Sequence, residues 1–325
     1  MAQTLTYRDA LRTAIVEELD RDPEVFLMGE DIGRYQGTFR VTAGLFEKYG
    51  GDRIVDTPIT EPAIVGFATG AAMTGLRPVV EMMTMSFSIL AIDQIINHAA
   101  KIHYMTGGQV SVPLVIRGPG GAANQLSAQH SHPLEGWYAH TPGLKVVAPA
   151  TADDGYGMFK TAVRDNNPVI FTENPNLYGV KGEVQIDPEY TVPFGKARVA
   201  KEGKDVSLIA YSRMVHVCIK AAETLEKDGI SCEVIDVRSL LPMDTDTIYN
   251  SVRKTHRAVV VYEDWRSGGF GAEIASRIGE GCFDDLDAPV GRVGGLNVPM
   301  PYARPLELLC IPNDGDVVAA VRKLS

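Results

Sequence analysis

One glutamate in this chain stands where a charged carboxylate is energetically unfavourable. Glu61 follows the segment 56–60 and opens a run of small and apolar residues, 63–75, with no other charged side chain before Arg77. A carboxyl group removed from water favours its protonated form, and its proton becomes available to a basic heteroatom near neutral pH. Glu61 is therefore the acid that we expect to take part in acid/base chemistry.

A simpler interpretation of Glu61 is structural. In the first turn of a helix a glutamate favours the positive end of the helix dipole, and Pro62 is compatible with an early helical position. However, Gly66, Gly70 and Gly75 weaken this helix unless something packs closely against it. The apolar composition predicts that the helix and its surroundings are buried, and a cofactor or a partner chain could supply the close contact.

A glycine-rich loop with two histidines follows the predicted strand 112–116. Residues 117–123 match the loose GxGxxA pattern, but Pro119 removes an amide donor and no acidic strand end follows at the expected distance, which argues against dinucleotide binding. His130 and His132 lie in the same loop, and histidine can donate a proton or bind a metal near neutral pH. A solvated histidine is the simpler interpretation, but ligands of open α/β sheets gather beyond the carboxyl ends of strands, where this loop is expected.

Two other segments could contribute to a site. Met83 and Phe87 lie where the strand from Val79 turns into the next helix, and they indicate either simple core or a pocket wall that stacks on a flat heterocycle. The polar turn 164–168 is typical of a helix C-cap before proline, although its oxygens could also hold a hard cation. Together, the buried acid, the stacking strand end and the histidine loop describe a site for a flat basic heterocycle that must gain a proton.

Composition narrows the class of protein. The formal net charge is −10 and no Lys/Arg cluster appears, which argues against a nucleic-acid partner. No apolar run reaches the roughly 18 to 20 residues of a membrane span, so a membrane protein is not predicted. The N-terminus lacks a basic and apolar signal region, which predicts a cytoplasmic protein. The four cysteines are widely spaced and are predicted to be reduced core thiols.

The hydrophobic pattern predicts an α/β protein with two open, mostly parallel sheets flanked by helices. Short apolar runs alternate with helical patterns, among them helices over 6–19, capped by Thr6 with Asp9, and over 87–104. A stretch rich in Pro, Gly and charge interrupts this alternation after Glu173. The predicted organisation is a first domain over 1–185, a linker over 186–200 and a second α/β domain over 201–325.

Many short motifs, in order along nearly the whole chain, resemble one known family. The chain is similar to the beta subunits of the decarboxylating component of 2-oxo acid dehydrogenases, with the pyruvate type closest, in the thiamine diphosphate family that includes transketolase. The segments that carry the resemblance are Met28-Gly29-Glu30-Asp31, residues 56–61, Gly75-Leu76-Arg77-Pro78, residues 92–97, Met105-Thr106-Gly107-Gly108, Ala128-Gln129-His130-Ser131, residues 142–147, residues 164–168 and Asp287-Ala288-Pro289.

The resemblance implies a role for each candidate residue. Glu61 would bind and protonate the pyrimidine ring nitrogen of thiamine diphosphate, which prepares the cofactor to attack the 2-oxo carbon of pyruvate. Met83 and Phe87 would lie against the aminopyrimidine, and His130 would assist acyl transfer to lipoamide. The first domain would be the pyrimidine-binding type, and the second would be the transketolase C-terminal type that serves dimerisation and docking of the dihydrolipoyl acetyltransferase.

The resemblance also implies metal ions and a partner. A structural potassium ion would be held by the carbonyl groups of Leu114, Ala162 and Val163, with Asp165 and Asn167. The family ligates magnesium and the diphosphate through a Gly-Asp-Gly segment followed by an Asn pair, and this chain has none. The expected assembly is therefore an α2β2 heterotetramer whose alpha subunit holds the magnesium, and this chain alone is expected to be inactive.

Three alternatives stay open on the sequence. The first is the same reaction on branched-chain 2-oxo acids, although residues 81–87 and 118–123 look more like the pyruvate type. The second is a fragment of a one-chain transketolase-like or deoxyxylulose phosphate synthase enzyme, and the missing magnesium motif argues against a complete version. The third is a non-catalytic scaffold subunit, which would have no reason to keep Glu61, Phe87 and His130.

Overall fold

The computed structural model describes residues 1–122 and 125–324. Its internal contacts define two compact units, the first comprising residues 1–120 and 137–194 and the second comprising residues 121–136 and the chain from 195 onward. The second division falls between Phe194 and Gly195, inside the range predicted as a linker. Ala123, the last residue of the predicted glycine loop, lies outside the described residues. Within the described part of the chain, no helix has the length and apolar character needed to cross a membrane.

The first unit contains a parallel main sheet, a separate two-stranded antiparallel sheet and the helices around them. Its strands are β1 (Ala2–Thr6), β2 (Val25–Gly29), β3 (Ile54–Asp56), β4 (Arg77–Glu81), β5 (Val115–Pro119), β6 (Lys145–Val147), β7 (Val169–Glu173) and β8 (Lys181–Gln185). Its helices are α1 (Tyr7–Arg21), α2 (Leu45–Tyr49), α3 (Glu61–Met73), α4 (Ile102–Met105) and α6 (Ala152–Arg164), and the short helix α5 (Glu135–Ala139) leads the chain back into this unit.

Strand order puts several strand ends side by side. Within the first unit the main sheet runs β6-β7-β5-β4-β2-β3 with all neighbours parallel. Gly29 lies opposite Asp56 on one side and Glu81 on the other, and Glu81 lies opposite Arg117. The carboxyl ends of β2, β3, β4 and β5 therefore meet at one edge, where open α/β sheets place their ligands.

The first helix follows its predicted capping pattern. The Asp9 amide donates to Thr6 Oγ1 at 3.1 Å, which satisfies one of the free N–H groups at the start of α1. Leu11 and Ile15 are buried on the face that belongs to the main core, and α1 packs against α6. The preceding strand β1, which the sequence pattern did not predict, pairs antiparallel with β8.

The single helix predicted over 87–104 is wrong. The segment instead forms a 3₁₀ helix at Met85–Ala91, a π-helical turn at Gln94–Ala99 and the short helix α4. In the wide turn, the Ala100 amide donates to the Ile95 carbonyl five residues back, at 3.0 Å. Such interruptions depend on tertiary packing rather than on hydrophobic period, and they occur frequently near functional sites.

The second unit is a smaller α/β layer. Its strands are β9 (Arg198–Lys201), β10 (Val206–Ala210), β11 (Cys232–Asp236), β12 (Ser239–Leu241), β13 (Ala258–Trp265) and β14 (Gly291–Gly295), and its helices are α7 (Met214–Glu226), α8 (Thr245–Thr255), α9 (Phe270–Gly281), α10 (Arg304–Cys310) and α11 (Asp314–Arg322). The sheet order is β14-β13-β10-β11-β9, parallel except for β9, which pairs antiparallel with β11. The mostly parallel α/β prediction is confirmed, and the four cysteines are buried and unbonded to one another.

One segment groups differently from the sequence prediction. Residues 121–136 were assigned to the first domain, yet they belong to the second compact unit. The physical reason is that the Ala122 amide donates to Glu263 at 2.6 Å and the Gln125 amide donates to Glu307 at 2.8 Å. These hydrogen bonds join residues far apart in the chain, so no local pattern could predict them.

Candidate active site

Glu61 lies at the carboxyl edge of the main sheet, as its position after β3 requires. It is the first residue of α3, and only 4% of its surface is exposed. The Ile64 amide donates to the Thr60 carbonyl at 3.0 Å and starts the helix there. The turn between β3 and α3 therefore carries a nearly buried carboxyl group at the point where two parallel strands end.

A second buried carboxyl group, which the sequence did not single out, lies near Glu61. Glu30 directly follows β2, is buried, and its Oε1 atom has no hydrogen-bond partner in the described structure. Burial raises the pKa of Glu30 above its ordinary value, and the neighbouring charges of Glu61 and Asp31 raise it further. Glu30 stood within a motif of the family resemblance, but its nearness to Glu61 follows from the pairing of β2 with β3.

The loop that follows Glu30 is fixed by Asp56 at the end of β3. The Asp56 carboxylate accepts hydrogen bonds from the Gly33 amide at 2.6 Å and from the Arg34 amide at 3.0 Å. At Gly29 a Cβ atom would lie 2.5 Å from the Glu81 carbonyl oxygen, so only glycine fits between these strand ends. These hydrogen bonds and the close strand packing at Gly29 fix the loops that place Glu30 and Glu61 at the same edge of the sheet.

Met83 and Phe87 lie at the end of β4 in the same unit. Both are half-buried, whereas the adjoining Met82 and Met85 are buried. The Met82 amide donates to the Arg117 carbonyl at 2.8 Å, and the Phe87 amide donates to the Thr84 carbonyl at 3.0 Å. These hydrogen bonds fix the backbone of the turn that carries both side chains at the carboxyl end of β4.

A buried ion-pair network stiffens the same edge. Arg117, which is 1% exposed, pairs with Glu81 at the end of β4 and with Glu173 at the end of β7. The Tyr178 hydroxyl donates to Glu173 at 2.7 Å. Charge-assisted hydrogen bonds are stronger than those between neutral groups. Arg117 therefore links the carboxyl ends of β4, β5 and β7.

Replacing Arg117 with Met is expected to lower the free energy of unfolding by about 3 to 5 kcal/mol, because Glu81 and Glu173 would then be buried without their cation. Urea unfolding followed by circular dichroism measures the change. Arg253→Met is the matched control, since Arg253 is about half exposed and its pair with Asp285 should contribute less than about 1 kcal/mol. Equal losses in the two variants would contradict a structural role for the buried network.

His130 and His132 lie in the second unit, within residues 121–136. Both are half-buried. The His132 ring lies edge-on to Trp265, with 5.8 Å between ring centroids. Burial lowers the pKa of His132 and the neighbouring His130 lowers it further, which favours the neutral ring of His132 at neutral pH. The structure thus brings Glu61, Met83 and Phe87 together in one unit and places His130 in the other.

Four of the predicted potassium ligands lie at or just after the carboxyl end of α6, and the fifth, Leu114, directly precedes β5. Asp165 is the C-cap of this helix, as the simpler interpretation of the turn required, and its amide donates to the Ala162 carbonyl at 3.3 Å. The Leu114 carbonyl accepts from the Val169 amide at 2.8 Å, and the Asn167 amide and side chain each donate to Asp165 Oδ1 at 2.9 Å. The site is a cluster of hard oxygen atoms, which is the donor chemistry that potassium prefers over nitrogen or sulfur.

Two cationic side chains already touch this cluster. Arg77 donates to the Val163 carbonyl at 2.9 Å and to the Asp165 carbonyl at 3.1 Å, and Lys145 pairs with the Asp165 carboxylate. Although burial raises the pKa of Asp165, the hydrogen bonds from Lys145 and Asn167 outweigh it and leave the pKa below the ordinary value. Arg77 and Lys145 therefore already supply positive charge to these oxygen atoms.

The face of α3 that points away from the sheet is open, which corrects the expectation of a fully buried helix. Phe67 is 73% exposed and Ile59, just before the helix, is 81% exposed. A Cβ atom at Gly70 would meet nothing within 4 Å in this chain. The close contact that the glycines require is therefore not made by the described part of the chain itself.

Comparison with known proteins defines the class. The family model of the transketolase pyrimidine binding domain matches residues 3–181, and that of the transketolase C-terminal domain matches residues 195–317. A solved split-gene transketolase, described as an inactive beta4 tetramer, superposes with a TM-score of 0.79 at 25% identity over 98% of each chain. The fold is thus that of a two-domain, transketolase-type protein.

Sequence relatives narrow the class to one family. The mitochondrial pyruvate dehydrogenase E1 component subunit beta-2 of Oryza sativa subsp. japonica is 51% identical, covering 99% of this chain and 86% of the rice protein. The pyruvate dehydrogenase E1 component subunit beta of Rickettsia felis is 50% identical over 98% of both chains. The chain belongs to the family of pyruvate dehydrogenase E1 component beta subunits.

Proposed function

We propose that this chain is the beta half of a thiamine diphosphate-dependent enzyme that oxidatively decarboxylates pyruvate and passes the acetyl group to lipoamide, on the route to acetyl-CoA. The observation that carries the proposal is the identity of about one half to pyruvate dehydrogenase E1 beta subunits over nearly the full length of the chain. The buried carboxyl pair at the strand ends supports it, because those residues fit a basic heterocycle.

The residues of the first unit fit the pyrimidine half of the cofactor. Glu30 Oε1 is a buried acceptor without a partner in the described structure, and Glu61 is a nearly buried carboxyl beside it. Glu61 would hold and donate a proton at the ring nitrogen, while Met83 and Phe87 would lie against the flat ring. When bound, thiamine diphosphate accepts the electron pair that carbon dioxide leaves behind.

His130 is proposed to serve the second half of the reaction. His130 is half-buried, and histidine side chains commonly act as general acids. The acceptor here is the dithiolane of lipoamide, which is carried by the dihydrolipoyl acetyltransferase. Decarboxylation and transfer would then depend on different residues of this chain.

The chain is proposed to act with an alpha subunit in an α2β2 assembly. The sequence has no Gly-Asp-Gly magnesium motif, so the partner would hold magnesium and the diphosphate. The exposed Phe67 and Ile59 beside Glu61 support a partner chain on this face of α3. The inactive beta4 tetramer of the split-gene transketolase is a related case in which beta chains alone do not act. The cytoplasmic location stays a prediction, since its relatives include bacterial and mitochondrial proteins.

The proposal is tested by measuring carbon dioxide release with this chain alone, the alpha chain alone, and the mixture. We expect release from pyruvate only in the mixture with thiamine diphosphate and magnesium. We also expect kcat/KM for pyruvate to exceed that for the branched 3-methyl-2-oxobutanoate by at least about tenfold, since added methyl groups must fit the pocket. Activity of this chain alone, or a preference for the branched acid, would contradict the proposal.

Potassium is proposed to stabilise the turn at Asp165. Replacing sodium chloride by potassium chloride should stabilise the chain by up to about 3 kcal/mol when the ion is in large excess over its Kd. The Asp165→Ala variant should lose this difference between salts, whatever its stability in sodium. Differential scanning calorimetry in the two salts measures both quantities, with the exposed Asp52→Ala as control. A wild-type chain that melts equally in both salts would exclude a potassium site.

A further inference from the structure

The segment that carries His130 is held by two carboxylates of the second unit. We propose that Glu263 and Glu307 are positioning residues that fix residues 121–136 and so set the placement of His130 for acetyl transfer. This inference rests on the proposed function of the chain.

The anchors are backbone hydrogen bonds to charged acceptors. The Ala122 amide donates to Glu263 Oε1 at 2.6 Å, and the Gln125 amide donates to Glu307 Oε1 at 2.8 Å. Glu307 is fully buried. Hydrogen bonds to ionised acceptors are shorter and stronger than those between neutral groups, so these two contacts can fix the start of the segment.

Each carboxylate has an arginine nearby, and Arg304 donates a hydrogen bond to Glu307. Arg304 Nη1 lies 3.0 Å from Glu307 Oε2, and Arg213 Nη1 lies 3.7 Å from Glu263 Oε2. In both cases one oxygen faces the arginine and the other accepts the backbone amide. Glu307 is therefore oriented by Arg304 to accept the Gln125 amide.

The backbone of the segment is strained where it is anchored. Gln125 and Ser127 have φ angles of 55° and 64°, in the left-handed region that residues other than glycine seldom adopt. Such conformations persist only where the surroundings hold them. Removing an anchor should let the segment relax to a different backbone path, and His130 would move with it.

The far end of the segment packs closely against Asp264 and Phe270. Asp264 accepts from the Trp265 amide at 2.7 Å and from the Phe270 amide at 3.3 Å. A Cβ atom at Gly136 would lie 3.1 Å from Asp264 Oδ2, which leaves little room at this end. His130 thus lies between a packed end and an end that depends on Glu263 and Glu307.

The chemistry that depends on this placement is the transfer half-reaction. The lipoamide disulfide accepts the two electrons that carbon dioxide leaves behind, so its S–S bond breaks and one sulfur forms the bond to the acetyl carbon. The other sulfur takes a proton and becomes a thiol. Delivery of that proton is the step assigned to His130, and it is sensitive to displacement of the imidazole by about 1 Å.

The test uses the complex reconstituted with the alpha chain. Glu307→Ala should lower acetyl transfer to free lipoamide about tenfold, because a displaced acid loses effective concentration. Decarboxylation of pyruvate with ferricyanide as electron acceptor should stay within about twofold of wild type, since that half-reaction does not use His130. In a His130→Ala background, Glu307→Ala should cause no further loss of transfer, as expected for two residues that act through one group.

Glu263→Gln provides a second, milder variant if Glu307→Ala does not fold, and it should show the same selective loss. Glu273→Gln is the matched control, because Glu273 is an exposed acid of the same unit that pairs only with Arg277 among the ion pairs described. Parallel loss of both half-reactions, unchanged transfer, or additive losses with His130→Ala would each overturn the positioning role. A wild-type complex that does not decarboxylate pyruvate would instead overturn the proposed function.

Discussion

Replacing Glu61 with Gln is expected to lower the thiamine-dependent decarboxylation of pyruvate by at least about a hundredfold in the reconstituted complex. The substitution keeps the size of the side chain and removes the proton that the nearly buried carboxyl would donate. Steady-state carbon dioxide release at saturating thiamine diphosphate measures the effect. Because the amide still accepts and donates hydrogen bonds, the protein should keep its fold and its assembly with the alpha chain.

The control for Glu61→Gln is Glu24→Gln, the same change at an exposed position just before β2. This variant should retain wild-type activity. Glu30 lies beside Glu61, so either carboxyl group could be the proton donor. The Glu30→Gln variant distinguishes between the two. Full activity of Glu61→Gln together with inactivity of Glu30→Gln would show that the proton donor was assigned to the wrong residue.

Replacing His130 with Ala is expected to separate the two half-reactions. Acetyl transfer to lipoamide should fall by about a hundredfold or more, as is typical when a general acid is removed. Ferricyanide-coupled decarboxylation should persist, since the pyrimidine site is built from other residues. The exposed His140 provides the control substitution, His140→Ala. If decarboxylation fell as far as transfer, His130 would have to be assigned to the first half-reaction instead.

Glu61 could be identified as a candidate acid from the sequence because the pattern that marks it lies within a short stretch of the chain. A single acid at the start of a long uncharged segment is visible without any fold, and the helix after it extends over Glu61–Met73, close to the predicted range. The strand ends that carry Met83 and Phe87 were predicted for the same reason. Helix α3 and strand β4 follow from the hydrophobic pattern of neighbouring residues, which can be seen in one sequence without an alignment.

Other features could not be read from the sequence because they depend on strand order or distant contacts. Glu30 becomes part of the site only because β2 pairs with β3. The grouping of residues 121–136 with the second unit depends on Glu263 and Glu307, which lie well over a hundred positions further along the chain. The division of the predicted helix after Phe87 likewise reflects tertiary packing, which overrides the helical period.

The exposed face of α3 shows where the apolar composition of the helix led to a wrong expectation of burial. A run of small and apolar residues predicts burial, but burial can be provided by another chain as well as by the same chain. Phe67 is 73% exposed in this chain. The apolar residues of α3 therefore form part of a surface, which we propose the alpha subunit covers. Composition alone cannot distinguish an internal core from an interface, because both favour the same residues.

The proposed decarboxylation depends on contact between Glu61 and the pyrimidine ring nitrogen of thiamine diphosphate. This contact is tested most directly by combining Glu61→Gln with a cofactor analogue in which C–H replaces that nitrogen, and measuring decarboxylation for all four pairings. The analogue should slow the wild-type complex by at least about a hundredfold and should slow the Glu61→Gln complex by less than about twofold further. If the analogue instead slowed decarboxylation by the same factor in the wild-type and Glu61→Gln complexes, the contact between Glu61 and the ring would be contradicted.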